Sequence, residues 1–225
     1  MKIKWGAFVT DGRGKIGGHV ASKNGAGAFF RTKVTPTNPN TVAQSAARVL
    51  FALISQGWSV LTAAQRSAWN ESVPEWQQTN IFGDLKKPTG KSLYQRLNNQ
   101  AQSVGLPAVT DVPEKGVLPD GIVTTATIAV GAATLVLADV NADASTQVAL
   151  WATAPLSQGT GVVGSRLRQI YAVAGDAYNS GDAYTAYVAK FGAPTADNNI
   201  FVGVKYVIST GQASPVQVLK ASVVA

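Results

Sequence analysis

Ile200-Phe-Val-Gly-Val-Lys-Tyr-Val-Ile208 reads as a β-strand. β-Branched and aromatic residues dominate it, Gly192-Ala-Pro194 breaks the chain before it, and Ser209-Thr-Gly211 breaks it after. Working outward, the same character extends over residues 121–224, where Thr, Val, Ala and Tyr alternate with period two. The candidate strands are Ile122–Val130, Thr134–Val140, Gln147–Thr153, Ser165–Val173, Ala183–Lys190, Ile200–Ile208 and Val216–Val224. Short strands at regular spacing with turn residues between them predict an all-β sandwich of immunoglobulin or fibronectin III shape. The chain has no Cys, so the disulfide-linked pattern of the immunoglobulin family proper is absent. Trp151 and Tyr206 are the expected core aromatics.

Upstream the chemistry changes. Residues 105–121 hold three prolines and three glycines and read as an extended linker. Before it, residues 36–104 are helical in pattern. Thr41-Val-Ala-Gln44 and Thr62-Ala-Ala-Gln65 both have the spacing of a capping box, with a hydroxyl at N-cap and an amide three residues on. Ala46, Val49, Leu50, Leu53 and Ile54 follow the first box at helical spacing, and Gly57 is the expected stop. The second helix is expected to run through Trp69 and to be limited by Pro74. A third is expected from Pro88 to Gln102, with Leu93 and Leu97 inward. Trp58, Trp69 and Trp76 are expected to anchor this small helical unit. Residues 1–35 are Gly-rich and basic. Ile3, Trp5 and Ala7 alternate as in a short strand, Asp11-Gly12 is a turn dipeptide, and Asn24-Gly25 predicts the tip of a β-hairpin. The fold class expected is therefore α+β in two modules. Residues 1–108 form a basic arm and helical docking module, and residues 109–225 a sandwich.

Charge divides the chain in the same way. Residues 1–110 carry thirteen basic and four acidic residues, and residues 111–225 six basic and eight acidic. The overall +7 thus comes from the first half, which points to two modules with different neighbours. Apolar residues make up 46% of the chain and charged residues only 14%, so a packed core is expected rather than a disordered polyelectrolyte. Without Cys there is no disulfide, thiolate nucleophile or Cys zinc site, and His19 is the single His. No apolar run is long enough to span a membrane, and Met1-Lys-Ile-Lys-Trp-Gly6 does not read as a secretory leader.

Motifs that could carry chemistry fall short on spacing. Gly90-Lys91-Ser92 has the end of a phosphate loop, but position 85 is Leu where the first glycine should stand, and Pro88 lies inside. Gly12-Arg-Gly-Lys-Ile-Gly-Gly18 matches a dinucleotide loop in composition only. His19 has Asp11 as the one acid in the first 70 residues, so a structural role is favoured over a triad. Glu71 and Glu75 are one turn apart only if a helix persists across Pro74. Asp139, Asn141 and Asp143 alternate like calcium ligands, but Ala144 replaces the required Gly. Asn70-Glu-Ser72 fits a glycosylation acceptor. Tyr178, Tyr184 and Tyr187 would form a sugar-binding platform if exposed. No cofactor or metal is expected, and the chain reads as a non-enzyme. The clearest functional signal is the basic set of the first 35 residues, with Phe29 and Phe30 beside it.

Lys15-Ile-Gly-Gly-His-Val-Ala-Ser-Lys-Asn24, Phe30-Arg31, Pro36-Thr-Asn-Pro39, Thr41, Gln44, Arg48, Trp58, Leu61-Thr62, Gln65-Arg66 and Ala68-Trp-Asn70 form a distinctive string. Phe82-Gly-Asp-Leu85 and Leu93-Tyr94 with Arg96-Leu-Asn98 continue it. Over about the first 100 residues the pattern resembles a group of bacteriophage-encoded, virion-associated proteins. Ala152-Thr-Ala-Pro-Leu-Ser-Gln-Gly159 and Ile200–Tyr206 are similar to sandwich domains attached to such proteins. The resemblance implies a structural component located in the virion, and it carries over no site residues. The resulting expectation is a capsid-associated decoration or minor capsid protein that self-associates and contacts other virion proteins. A tail or connector component is the alternative, as is a nucleic-acid-binding protein using the basic arm. Lys15, Gly17, Gly18, Lys23, Phe30 and Arg31 are the expected docking contacts.

Overall fold

Capping residues and apolar periodicity place most elements of the computed structural model, which describes residues 12–25, 27–79, 82–86, 88–119, 123–140, 144–195 and 198–224. The expectations resting on Ile3, Trp5, Ala7, Asp11, Ile122, Asn141 and Asp143 lie outside these residues. Helices and sheets are both present, so the chain is α+β. It forms two units, one of Met1–Gln95 with Thr110–Val112, the other of Arg96–Val109 with Pro113–Ala225.

The first unit begins with β1 (Gly14–Ile16), β2 (His19–Asn24) and β3 (Gly27–Thr32), antiparallel and in that order. Gly17 has φ +57° and Gly18 does not, the pattern of a type II′ hairpin turn, which uses glycine at its first central position. Helix α1 (Val42–Val60) starts at Thr41, whose Oγ1 accepts from the Gln44 N–H while the Gln44 Oε1 accepts from the Thr41 N–H, both at 3.3 Å. Helix α2 (Ala63–Glu71) repeats the arrangement at Thr62 and Gln65, with distances of 3.2 and 3.0 Å. The chain bends by 110° between the two helices. A 3-10 turn, Val73–Trp76, carries Pro74, and β4 (Gln78–Thr79) pairs antiparallel with β5 (Leu85–Lys86).

Helix α3 (Gly90–Ser103) contributes residues 90–95 to this unit. Tyr94 sits between Trp58 and Trp69, with ring centroids 5.5 and 5.4 Å away and an edge-on approach to Trp69. Gly57 does not stop α1, which runs on to Val60. A Cβ at Gly57 would lie 2.7 Å from the Tyr94 hydroxyl oxygen, so this glycine makes room for the ring. Trp69 and Trp76 are buried as expected, while Trp58 is half-buried.

The second unit is built on β6 (Ala126–Ala129), β7 (Thr134–Leu137), β8 (Thr146–Ala152), β9 (Arg168–Ala174), β10 (Ile200–Ile208) and β11 (Gln217–Val224). They form one curled sheet in the order β7-β6-β11-β10-β8-β9. All pairs are antiparallel except β6 with β11. A register irregularity at Leu150 and Trp151, where Trp151 meets Gln169, bends β8 against β9.

Two expectations are corrected here. The candidate strand Ala183–Lys190 is a helix, α4 (Ser180–Phe191), so this unit is not all-β. The strands are joined in one sheet rather than split between two. Asn179 caps α4 through Gly181 N–H at 2.9 Å, and Gly192, at φ +85°, ends it. Helix α4 packs against β7 and β9, the two edge strands, and so lies across the mouth of the curl.

Both faces of β10 are covered. Val202, Val204 and Tyr206 join Val148, Leu150, Tyr184 and Tyr187 in the inner core. Val207 packs on the outer face with Ala149, Val104 and Leu106. Lys205 is the charged exception, with its ammonium 5.8 Å from the Trp151 ring centroid. Burial lowers its pKa.

Residues 105–121, expected as a linker, have no regular structure where described, but they are pinned. In the second unit the fully buried Asn98 amide bonds both the N–H and the C=O of Val109, at 2.8 and 3.0 Å, and the Gly116 N–H donates to Gln212 Oε1 at 2.7 Å. In the first unit Trp69 Nε1 donates to the Thr110 carbonyl at 2.9 Å.

Candidate docking surface on the N-terminal sheet

Strand register decides which side chains share a face. Cross-strand partners point the same way, and neighbours along a strand point opposite ways. Lys15, Val20 and Arg31 are in line across β1, β2 and β3. Ser22 and Phe29 are the next pair on that face. The ladder continues past β3, because Lys33 N–H donates to the Gly18 carbonyl at 2.8 Å. Lys33, two residues beyond Arg31 on extended chain, therefore follows Arg31. Lys15, Arg31 and Lys33 are exposed, while Val20, Ser22 and Phe29 are half-buried.

The other face carries Ile16, His19 and Thr32 in one row and Ala21 with Phe30 in the next, then Lys23 with Ala28. Ala21 is buried there and Lys23 is exposed. The six expected docking residues therefore do not form one patch. Lys15 and Arg31 are brought together, Lys23 and Phe30 are on the reverse, and Gly17 and Gly18 make the turn that joins β1 to β2. Lys33 and Phe29, which belong to the basic set and its aromatic companions but not to the six expected contacts, share the face of Lys15 and Arg31. Period-two counting from Arg31 would have found both. The ladder runs up to Asn24 and Gly27, one residue past the pairing that an Asn24-Gly25 tip implies.

The remaining motifs are accounted for by local structure. At the start of α3, Gly90 N–H donates to Asn70 Oδ1 at 3.1 Å and Ser92 N–H to Thr89 Oγ1 at 3.2 Å. Those N–H groups are engaged by the protein itself and are not presented to a phosphate. Gly90 is a packing residue, since a Cβ there would fall 2.5–2.7 Å from Asn70 and the Trp69 carbonyl carbon. His19 is exposed at the start of β2, opposite Ile16 and Thr32. Glu71 ends α2 and accepts from Ser67 Oγ at 3.0 Å, while Glu75 sits in the separate 3-10 turn, so the two are not on one helix. Asp139 Oδ2 accepts from Thr124 Oγ1 at 2.6 Å.

No exposed tyrosine platform forms. Tyr187 is fully buried, Tyr184 is buried, and the half-buried Tyr178 donates to the Leu135 carbonyl at 2.6 Å. Burial raises the pKa of Tyr178, with Tyr171 adding to it, and of Tyr187, with Tyr184 adding to it.

An open depression of about 560 Å³ on the second unit is edged by Gln158, Asn199, Lys220 and Ser222. Asn199 Nδ2 already donates to the Gln158 and Thr160 carbonyls at 2.7 and 3.0 Å. Lys220 is the one ionisable group among its described lining residues. Among the described residues no three His, Asp or Glu side chains are grouped to hold a metal ion. No single helix there is long and apolar enough to cross a membrane. Comparison with protein-family models, with curated proteins and with solved structures returns no match.

Proposed function

We propose that the chain is a non-enzymatic structural component of a bacteriophage particle, associated with the capsid, that docks through its N-terminal unit and self-associates. The observation that carries this reading is the residue string from Lys15 to Asn98, with its resemblance to virion-associated phage proteins. The surface of α1 supports it. Val42, Val49, Leu53 and Val60 are 88, 59, 57 and 84% exposed, and with exposed Ala46 they recur at alternating spacings of four and three, then seven. That stripe lies on a helix whose one charged residue is Arg48. A long apolar stripe with so little charge marks a surface that gains from being covered. In this reading the two units are separate modules, and the curled sheet takes the projecting place.

Quantitative mass spectrometry of purified particles, scaled to the major coat protein, tests the proposal. A copy number near that of the coat protein is the expected result. A handful of copies per particle moves the chain to the tail or connector, and absence from particles overturns the structural role.

A further inference from the structure

We infer that the Lys15–Arg31–Lys33 face of the N-terminal sheet binds the phosphate backbone of nucleic acid, without reading base sequence. The inference stands apart from the particle assignment, since either can fail alone. Lys15 lies on one edge strand, and Arg31 and Lys33 lie on and just beyond the other. Neighbouring strands are about 4.8 Å apart, so the two cationic edges are separated by about 10 Å. Arg31 and Lys33 are about 7 Å apart along the chain. Between the edges the central strand presents Val20 and Ser22, both small and uncharged. The result is a shallow trough with cationic rims.

Three further observations favour a polyphosphate over an acidic protein as the occupant. First, no Asp or Glu occurs between residues 12 and 70, so the three strands themselves carry no carboxylate to repel phosphates. Second, lysine is depleted in protein–protein interfaces, whereas Lys, Arg and Ser are the usual phosphate contacts. Third, Phe29 stands one step from Arg31 on this same face, and an aromatic beside cations is the arrangement on which unpaired bases stack. Among the described residues the face carries no cluster of amides or carboxylates for reading base edges, so binding is expected to be independent of sequence.

Fluorescence anisotropy of the full chain with a labelled DNA duplex and with a labelled DNA single strand, measured across salt, tests this. The wild type should bind at low salt, with log affinity falling linearly with log salt. K15Q/R31Q/K33Q should flatten that slope by about 3, near one unit per lost phosphate contact. K23Q, on the opposite face, should leave the slope unchanged, and K15R should behave as wild type. Two duplexes of scrambled sequence should bind equally. Circular dichroism of each variant checks that the sheet is retained, and the single variants K15Q and R31Q stand in if the triple variant unfolds. No binding by the wild type at low salt overturns the inference. So does an equal loss in K23Q, or displacement of the duplex by poly-glutamate as readily as by unlabelled DNA. That last result would move the face to an acidic protein partner.

Discussion

Single residues with no room for change are the sharpest points in this chain. At Gly90 an added methyl would meet backbone atoms of Trp69 and Asn70, which cannot swing aside. Gly90→Ala is expected to destabilise the protein by about 2 kcal/mol, the usual scale of overpacking, despite the better helix propensity of alanine. Gly159 has open space around its Cβ position, so Gly159→Ala should shift stability by less than about 1 kcal/mol in either direction. Urea denaturation of the two variants side by side makes the comparison. Asn98 is the polar counterpart, and Asn98→Ala leaves the Val109 N–H and carbonyl without their amide partner. A loss of about 2–3 kcal/mol is expected in the same assay. These roles were not legible in the sequence. Gly90 reads there as the end of a phosphate-loop motif that fails on spacing, and Asn98 only as part of the string that carries the resemblance. What each one does depends on a backbone brought close by folding.

At the scale of elements, legibility followed the capping residues. Thr41 and Thr62 announced α1 and α2, because a hydroxyl and an amide three residues apart satisfy backbone donors that would otherwise be orphaned. Thr41→Ala and Thr62→Ala should each cost about 1 kcal/mol, read as lowered denaturation midpoints. The strand Ile200–Ile208 was legible to the residue, since burial on both faces demands a continuous apolar run. Helix α4 was misread because Tyr184, Thr185, Tyr187 and Val188 favour strands by propensity. Its ends said otherwise. Asn179 and Asp182 open a helix, Lys190 suits a last turn, and Gly192 closes it. Tyr184, Tyr187 and Phe191 also fall at helical spacing, and Tyr187 and Phe191 meet ring to ring at 5.3 Å. Thr185→Pro should therefore remove much more stability, about 3 kcal/mol or more, with loss of helical circular dichroism as the check. The docking set was legible in composition but not in geometry, because the Gly17-Gly18 hairpin that brings Lys15 level with Arg31 was not read.

Over the whole molecule, tyrosine burial sets the response to alkali. Burial raises the pKa of Tyr94, Tyr171, Tyr178 and Tyr187, and at Tyr171 the charge of Asp182 adds to it. Below about pH 10 the folded and unfolded chains both keep these phenol protons, and the associated stability is intact. Above that pH the unfolded chain ionises first, so stability falls progressively as pH rises toward the folded-state values. Phenolate absorbance of the folded chain at pH 11 should stay well below that of six free tyrosines, and rise when urea is added. The closure of the curled sheet has a different consequence. Tyr178 holds the Leu135 carbonyl of β7, Lys190 Nζ holds the Gln169 carbonyl of β9 at 2.6 Å, and α4 packs along both strands. A sheet whose margins are occupied in this way offers little template for a foreign strand. Many copies could then stand shoulder to shoulder at high local concentration without zipping into aggregates.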